Sequence, residues 1–171
     1  MKKIKAVLFD MDGVLADFER GVKEICGVTP PSQNAKHHKP GEDDEMWERI
    51  KETKHFYDYL ELMPGAKEMF DAVYDKFGDR CEILTGIPKP KRGIANAGED
   101  KTIWVRRLLS KDIVINIVQR EEKPQYCKGK GCILIDDMQR NIRDWIAEGG
   151  TGIIHTSAED TLNQLKQLGV L

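Results

Sequence analysis

Along the chain, short, mainly apolar runs alternate with longer stretches in which apolar residues recur every three or four positions. The runs are Val7-Leu8-Phe9, Cys81 to Thr85, Ile113 to Val118, Cys132 to Ile135 and Gly152 to His155. Each is bounded by turn formers and predicts a buried strand. Between them the spacing turns helical. Phe18, Val22, Ile25 and Cys26 predict a helix from near Asp17, stopped by Gly27 and Pro30-Pro31. Met46, Trp47 and Ile50 predict a second, behind the acidic caps Glu42 to Glu45. Ala66, Met69, Phe70, Val73 and Phe77 mark a third, and Trp104, Val105, Leu108 and Leu109 a fourth with Asp100 as its cap. Ile142, Trp145 and Ile146 mark a fifth, ended by Gly149-Gly150. Leu162, Leu165 and Leu168 mark a sixth behind a Ser157/Asp160 capping box. Residues 28–43 and 86–98 are polar or rich in Gly and Pro, and read as loops.

From residue 64 onward strands and helices alternate. That pattern predicts an α/β fold, a doubly wound parallel sheet with right-handed crossovers. Residues 18–63 contain no convincing strand and read as a small helical cap inserted after the first strand. The expected division is therefore a core of 1–17 and 64–171 and an insert of 18–63.

The strand ends carry the chemistry. Asp10 and Asp12 follow the first strand, Thr85 ends the second, Lys123 follows the third, and Asp136-Asp137 end the fourth. Any one of these is ordinary as a helix cap. Capping alone does not account for all four, with paired acids at two. Open α/β sheets bind ligands at these ends. Two acids one residue apart on a buried strand repel, unless a cation sits between them or one keeps a proton. Carboxylate oxygens select a hard ion such as Mg²⁺. An Asp can attack phosphorus, and a second can move the protons. A Thr hydroxyl and a Lys ammonium can hold phosphoryl oxygens.

Composition narrows the field further. Of 171 residues 40% are hydrophobic and 33% charged, with a net charge of −2. A core can form, and nothing points to a nucleic-acid polymer or a membrane as partner. The apolar run near Met1 is too short for a signal peptide and is needed as a strand. A cytoplasmic setting is expected, with reduced thiols. Cys81 and Cys132 open apolar runs as buried thiols, and the spacing of Cys127 and Cys132 fits no common zinc site.

Phe9-Asp10-Met11-Asp12-Gly13-Val14-Leu15 resembles the first motif of the haloacid dehalogenase superfamily. Thr85, Lys123-Pro124 and Asp136-Asp137 resemble its second, third and fourth motifs, in order. The longer string Asp10 to Glu19, with Leu62 to Ala66 and Glu99 to Val105, is similar to the 5′(3′)-deoxyribonucleotidases. This resemblance implies a Rossmann-like core, Asp10 as nucleophile and Asp12 as general acid/base. It implies Mg²⁺ on the Asp10 carboxylate, the Asp12 carbonyl and Asp137, with Asp136 in the outer shell. Thr85, Gly86 and Lys123 would bind phosphate, and Phe18 would stack on a nucleobase or serve as a helix core residue. Two departures stand out: Gly86 replaces the usual serine, and the insert is short. Trp47, Phe56 and Tyr57 line a pocket or simply pack.

The implied activity is hydrolysis of a nucleoside monophosphate, preferably a deoxyribonucleotide, by a protein for which a homodimer is left open. A sugar phosphate or other small phosphoester is the second reading, and a phospho-Asp signalling receiver a remote third. Lys101 reads as a solvated residue, with phosphate binding as the alternative. The loop residues Lys89, Lys91 and Arg92 read as solvated, with attraction of an anionic substrate as the alternative. His37 and His38 are metal candidates in the polar loop, whereas His55 and His155 read as surface or packing residues.

Overall fold

The computed structural model describes residues 3–171; Met1 and Lys2, at the start of the expected core, lie outside them. Five parallel strands form one sheet in the order β3-β2-β1-β4-β5. They are β1 (Ala6–Phe9), β2 (Cys81–Gly86), β3 (Val114–Val118), β4 (Cys132–Asp136) and β5 (Thr151–Ile154). The chain steps outward from β1 to β3, then returns to lay β4 on the other side of β1. The crevice where the order reverses therefore opens between the carboxyl ends of β1 and β4, carrying Asp10 and Asp136-Asp137.

Strand periodicity decides which residues face which layer. Val7 and Phe9 of β1 join Ile83, Ile133, Ile135 and Ile153 in the larger core. Ala6 and Leu8 point the other way, with Leu84, Leu134, Ile142 and Trp145. Helices α3 (Ala66–Phe77), α4 (Ala97–Leu108) and α6 (Ala158–Gln167) cover the first face, and α5 (Gln139–Ala147) the second. All five positions of the α3 stripe are buried.

The insert contains α1 (Phe18–Gly21), a π-helical turn (Val22–Cys26), α2 (Asp44–Glu52) and a 3-10 turn (Phe56–Tyr59). Its two ends are zipped together: Asp17 N–H donates to the Glu61 carbonyl at 2.8 Å, and Met63 N–H to the Leu15 carbonyl at 2.8 Å. Phe18, Val22, Met46, Ile50 and Phe56 belong to the same buried cluster as the sheet residues. The insert thus shares the core of the α/β layer beneath it.

Several local expectations are corrected. The first helix is not one α-helix: after a single turn capped by Asp17 it widens into the π turn. That rotates Ile25 outward to 42% exposure. Asp100 does not cap α4. Asn96, at φ +60°, starts the helix, and Asp100 accepts a hydrogen bond from His55 Nδ1 at 2.8 Å. The Ser157/Asp160 box is half formed. Ser157 Oγ caps Asp160 N–H, while the Asp160 carboxylate takes Thr156 and Gln164 instead. Ile146 and Leu168 face outward. His155 is a packing residue, buried, with Nδ1 on Thr161 Oγ1.

Candidate active site

β1 is short, apolar and central, so it delivers Asp10 almost fully buried (6% exposed) at its carboxyl end. Oδ1 of Asp10 accepts from Lys123 Nζ at 2.9 Å. Lys123 comes from a 3-10 helix, Arg120–Tyr126, that follows β3 and is fixed by a reciprocal Gln119/Glu122 cap. Its ammonium also donates to Asp136 Oδ2 at 2.7 Å. Burial opposes its charge, but the Asp10 and Asp136 carboxylates outweigh that and raise its pKa.

Asp136 is fully committed within the protein. Oδ1 accepts from Met138 N–H at 2.8 Å, and Oδ2 from Asn141 Nδ2 at 2.9 Å as well as from Lys123. Asp137 differs: its carboxylate lies against Gly13, where a Cβ would come within 2.2 Å of Oδ2. Only a glycine, here at φ +81°, leaves room for that approach. Burial, with Asp10 and Asp136 alongside, pushes the Asp137 carboxyl up to about 8. Asp10, Asp136 and Asp137 offer oxygens within 4.8 Å of one another, a spacing that suits one cation.

Asp12 is held by a residue that the sequence places in solvent. Lys101 is fully buried, and its ammonium donates to Asp12 Oδ2 at 2.6 Å, Thr85 Oγ1 at 3.0 Å and the Gly86 carbonyl at 2.6 Å. Expecting it to be solvated was wrong. Ala97, Lys101, Trp104 and Val105 share one face of α4, and a lysine on an apolar stripe is the signal that could have found it. Asp12 Oδ1 is sealed without a partner. Burial, reinforced by Asp10 and opposed by Lys101, raises the Asp12 pKa.

A cavity of about 300 Å³ opens over Asp10, bordered by Gly86, Lys123, Tyr57, Trp47 and Arg120. Thr85 is fully buried beneath it, with its hydroxyl turned to Lys101. Phe18 sits 6% exposed among Trp47, Phe56 and Tyr57, and borders a neighbouring cavity on the far side of Asp12 and Asp137. Of the three candidate insert aromatics, Trp47 and Tyr57 reach the cavity over Asp10, whereas Phe56 is packed. Arg92 is not solvated either: it clasps Asp43 and Asp44 of the insert at 3.0 and 2.6 Å. Asn34, from the polar loop, bridges the Asp137 carbonyl and Gln139 N–H. His37 and His38 stand apart from the acidic cluster, in the exposed loop.

A family profile described as 5′ nucleotidase, deoxy (pyrimidine), cytosolic type C protein matches residues 2–164. The chain belongs to this family. It is a phosphoric monoester hydrolase of the 5′-nucleotidase type, which sets the receiver reading aside. A Vibrio phage KVP40 protein, provisionally named 5′(3′)-deoxyribonucleotidase, is 26% identical over 141 residues, covering 79% of this chain and 67% of that protein. The fold is shared with a haloacid dehalogenase-like hydrolase from Streptococcus pneumoniae (14% identity, 94% and 90% of the two chains, TM-score 0.56). It is shared too with a haloacid dehalogenase-superfamily hydrolase from Ehrlichia chaffeensis (15% identity, 98% of each chain, TM-score 0.55). The sheet of this nucleotidase is built from parallel strands, and no helix among its described residues is long and apolar enough to cross a membrane.

Proposed function

We propose that this nucleotidase hydrolyses nucleoside monophosphates, deoxyribonucleotides above all, in a Mg²⁺-dependent reaction through an aspartyl-phosphate on Asp10. The observation that carries the reading is the state of the two acids of the first motif. Asp10 has one oxygen locked by Lys123 and none of the described side chains on the other. Asp12 has one oxygen locked by Lys101 and a raised pKa.

The acidic cluster suits the metal. Asp10 and Asp137 each offer an oxygen free of side-chain hydrogen bonds, and the Asp12 carbonyl accepts none among the described residues. Asp136, already holding three donors, positions Lys123 instead. Mg²⁺, when bound, neutralises this cluster and withdraws charge from the phosphoryl oxygens. In the proposed reaction Asp10 Oδ2 attacks phosphorus while the Lys123 ammonium and the Gly86 backbone steady the phosphoryl group. Asp12 gives its proton to the leaving alkoxide, then takes one from the water that releases phosphate. Residues 18–63 act as the cap that closes over the substrate, held to the core through Arg92, Asn34 and His55.

The deciding experiment is phosphate release with Mg²⁺ across dUMP, dTMP, UMP, 3′-nucleotides and sugar phosphates. Nucleotides are expected to lead; a clear preference for sugar phosphates rejects the substrate and keeps the chemistry. Chelation by EDTA should silence release and added Mg²⁺ restore it. Mg²⁺ should also raise the melting temperature, because it relieves the crowding of Asp10, Asp136 and Asp137. A rate and a melting curve both indifferent to EDTA would remove the metal from the scheme.

Asp12→Asn should lower kcat on dUMP by about 10²- to 10⁴-fold. The loss should be smaller on p-nitrophenyl phosphate, whose leaving group needs no proton. Equal losses on the two substrates would move the acid role elsewhere.

A further inference from the structure

Tyr57 borders the cavity over Asp10 from the insert side and is only 2% exposed. Its ring is committed. Lys101 Nζ lies 4.6 Å from the centroid, Phe18 stacks at 6.3 Å with an interplanar angle of 23°, and Phe56 meets it edge-on at 5.2 Å. Its hydroxyl is not committed, and makes no hydrogen bond among the described residues. The one sealed side-chain polar atom without a partner among them is Asp12 Oδ1, so the phenol oxygen still meets open space. Tyr57 also borders a second cavity, beside His55 and Asp100. Two influences raise its pKa well above 10: burial first, then the Asp12 carboxylate rather than Asp100. Lys101 Nζ, which packs on the Tyr57 ring, also donates to Asp12 Oδ2 at 2.6 Å, so the ring stands beside Asp12 on the wall of the cavity that Asp10 and Asp12 line.

A donor that no protein group claims and that meets the cavity is satisfied by water until a substrate brings an acceptor of its own. In the reaction above, the phosphoryl group is held between Asp10, Lys123 and Gly86, and Asp12 faces the leaving oxygen. The part of a nucleotide just beyond that oxygen is the pentose. We propose that the Tyr57 hydroxyl hydrogen-bonds a hydroxyl of the pentose, making Tyr57 a sugar-reading residue of this nucleotidase. The proposal rests on the assignment of Asp10 and Asp12 given above.

Tyr57→Phe tests it, because it keeps the ring, its stacking and the Lys101 contact. kcat and KM are measured for wild type and Y57F on dUMP, UMP and 2′,3′-dideoxyuridine 5′-phosphate, with p-nitrophenyl phosphate as the sugarless control. Y57F should lose about two- to tenfold in kcat/KM on dUMP or UMP, mainly through KM. The dideoxy substrate and the control should be unaffected. Equal loss on all four substrates, or no loss on any, overturns the proposal. A wild-type enzyme that hydrolyses the control but no nucleotide overturns the nucleotide reading itself, and this proposal with it. A melting temperature for Y57F close to that of wild type confirms that the comparison reads recognition, not folding.

Discussion

Asp10→Asn should give a folded protein that releases no phosphate, with kcat lowered by about four orders of magnitude or more. Asparagine has the shape of aspartate and can still accept from Lys123 through its carbonyl oxygen. The oxygen left free for attack in the native protein, however, becomes an amide nitrogen, which is no nucleophile. Stability should not suffer in step. The substitution weakens one side of the Lys123 bridge, but it also removes one of three carboxylates whose oxygens crowd within 4.8 Å. The melting temperature without metal should therefore stay close to that of wild type, while the rise caused by Mg²⁺ shrinks. Acid quenching during turnover followed by mass spectrometry gives the complementary readout. Wild type should carry a phosphoryl group on the peptide containing Asp10, and the variant should not. Retained turnover, or a phosphoryl group trapped on another peptide, would remove Asp10 as nucleophile.

The sheet was legible because burial on both faces leaves little choice of residue. Val7-Leu8-Phe9 and Cys132 to Ile135 are unbroken apolar runs because β1 and β4 are central and covered on each side. The same logic exposed the site. Any one acid after such a strand can serve as a helix cap, but capping does not account for the set, and Asp10, Asp12, Asp136 and Asp137 do converge on the crevice at the switch point. What stayed hidden were polar residues on otherwise apolar helical faces. Lys101 shares its face of α4 with Trp104 and Val105, and Asn141 lies beside Ile142 and Trp145 on α5. At that spacing each must be buried, and each is buried against a carboxylate that needs a donor. Asn34 and Arg92 offered no such signal. They lie in loops without periodicity, and their partners, the Asp137 turn and Asp43-Asp44, are fixed only once the insert has folded down. The π turn after α1 was equally invisible, since Val22, Ile25 and Cys26 fit an α-helix as well.

Lys101→Met should be the most destabilising substitution near the site. The ammonium is fully buried and donates to three acceptors at once, Asp12, Thr85 and Gly86. Methionine fills much of the volume but leaves the Asp12 carboxylate, largely buried itself, without its counter-ion. Removing one partner of a buried pair typically costs about 3–5 kcal/mol. For a chain of this size that is a fall of roughly 6–20 °C in melting temperature. Adding Asp12→Asn to Lys101→Met tests the cause. If the cost is an uncompensated charge, the double variant should recover part of the loss, and a double-mutant cycle should show strong coupling. If Lys101 merely packs, the second substitution will only add its own penalty. Losses that simply sum, or a Lys101→Met protein that melts with wild type, would return the lysine to the incidental role that sequence alone assigned it. The expected coupling bears on chemistry as well as stability. By holding Oδ2, Lys101 fixes the orientation of the Asp12 carboxyl, so in Lys101→Met the kcat on dUMP should fall further than on p-nitrophenyl phosphate.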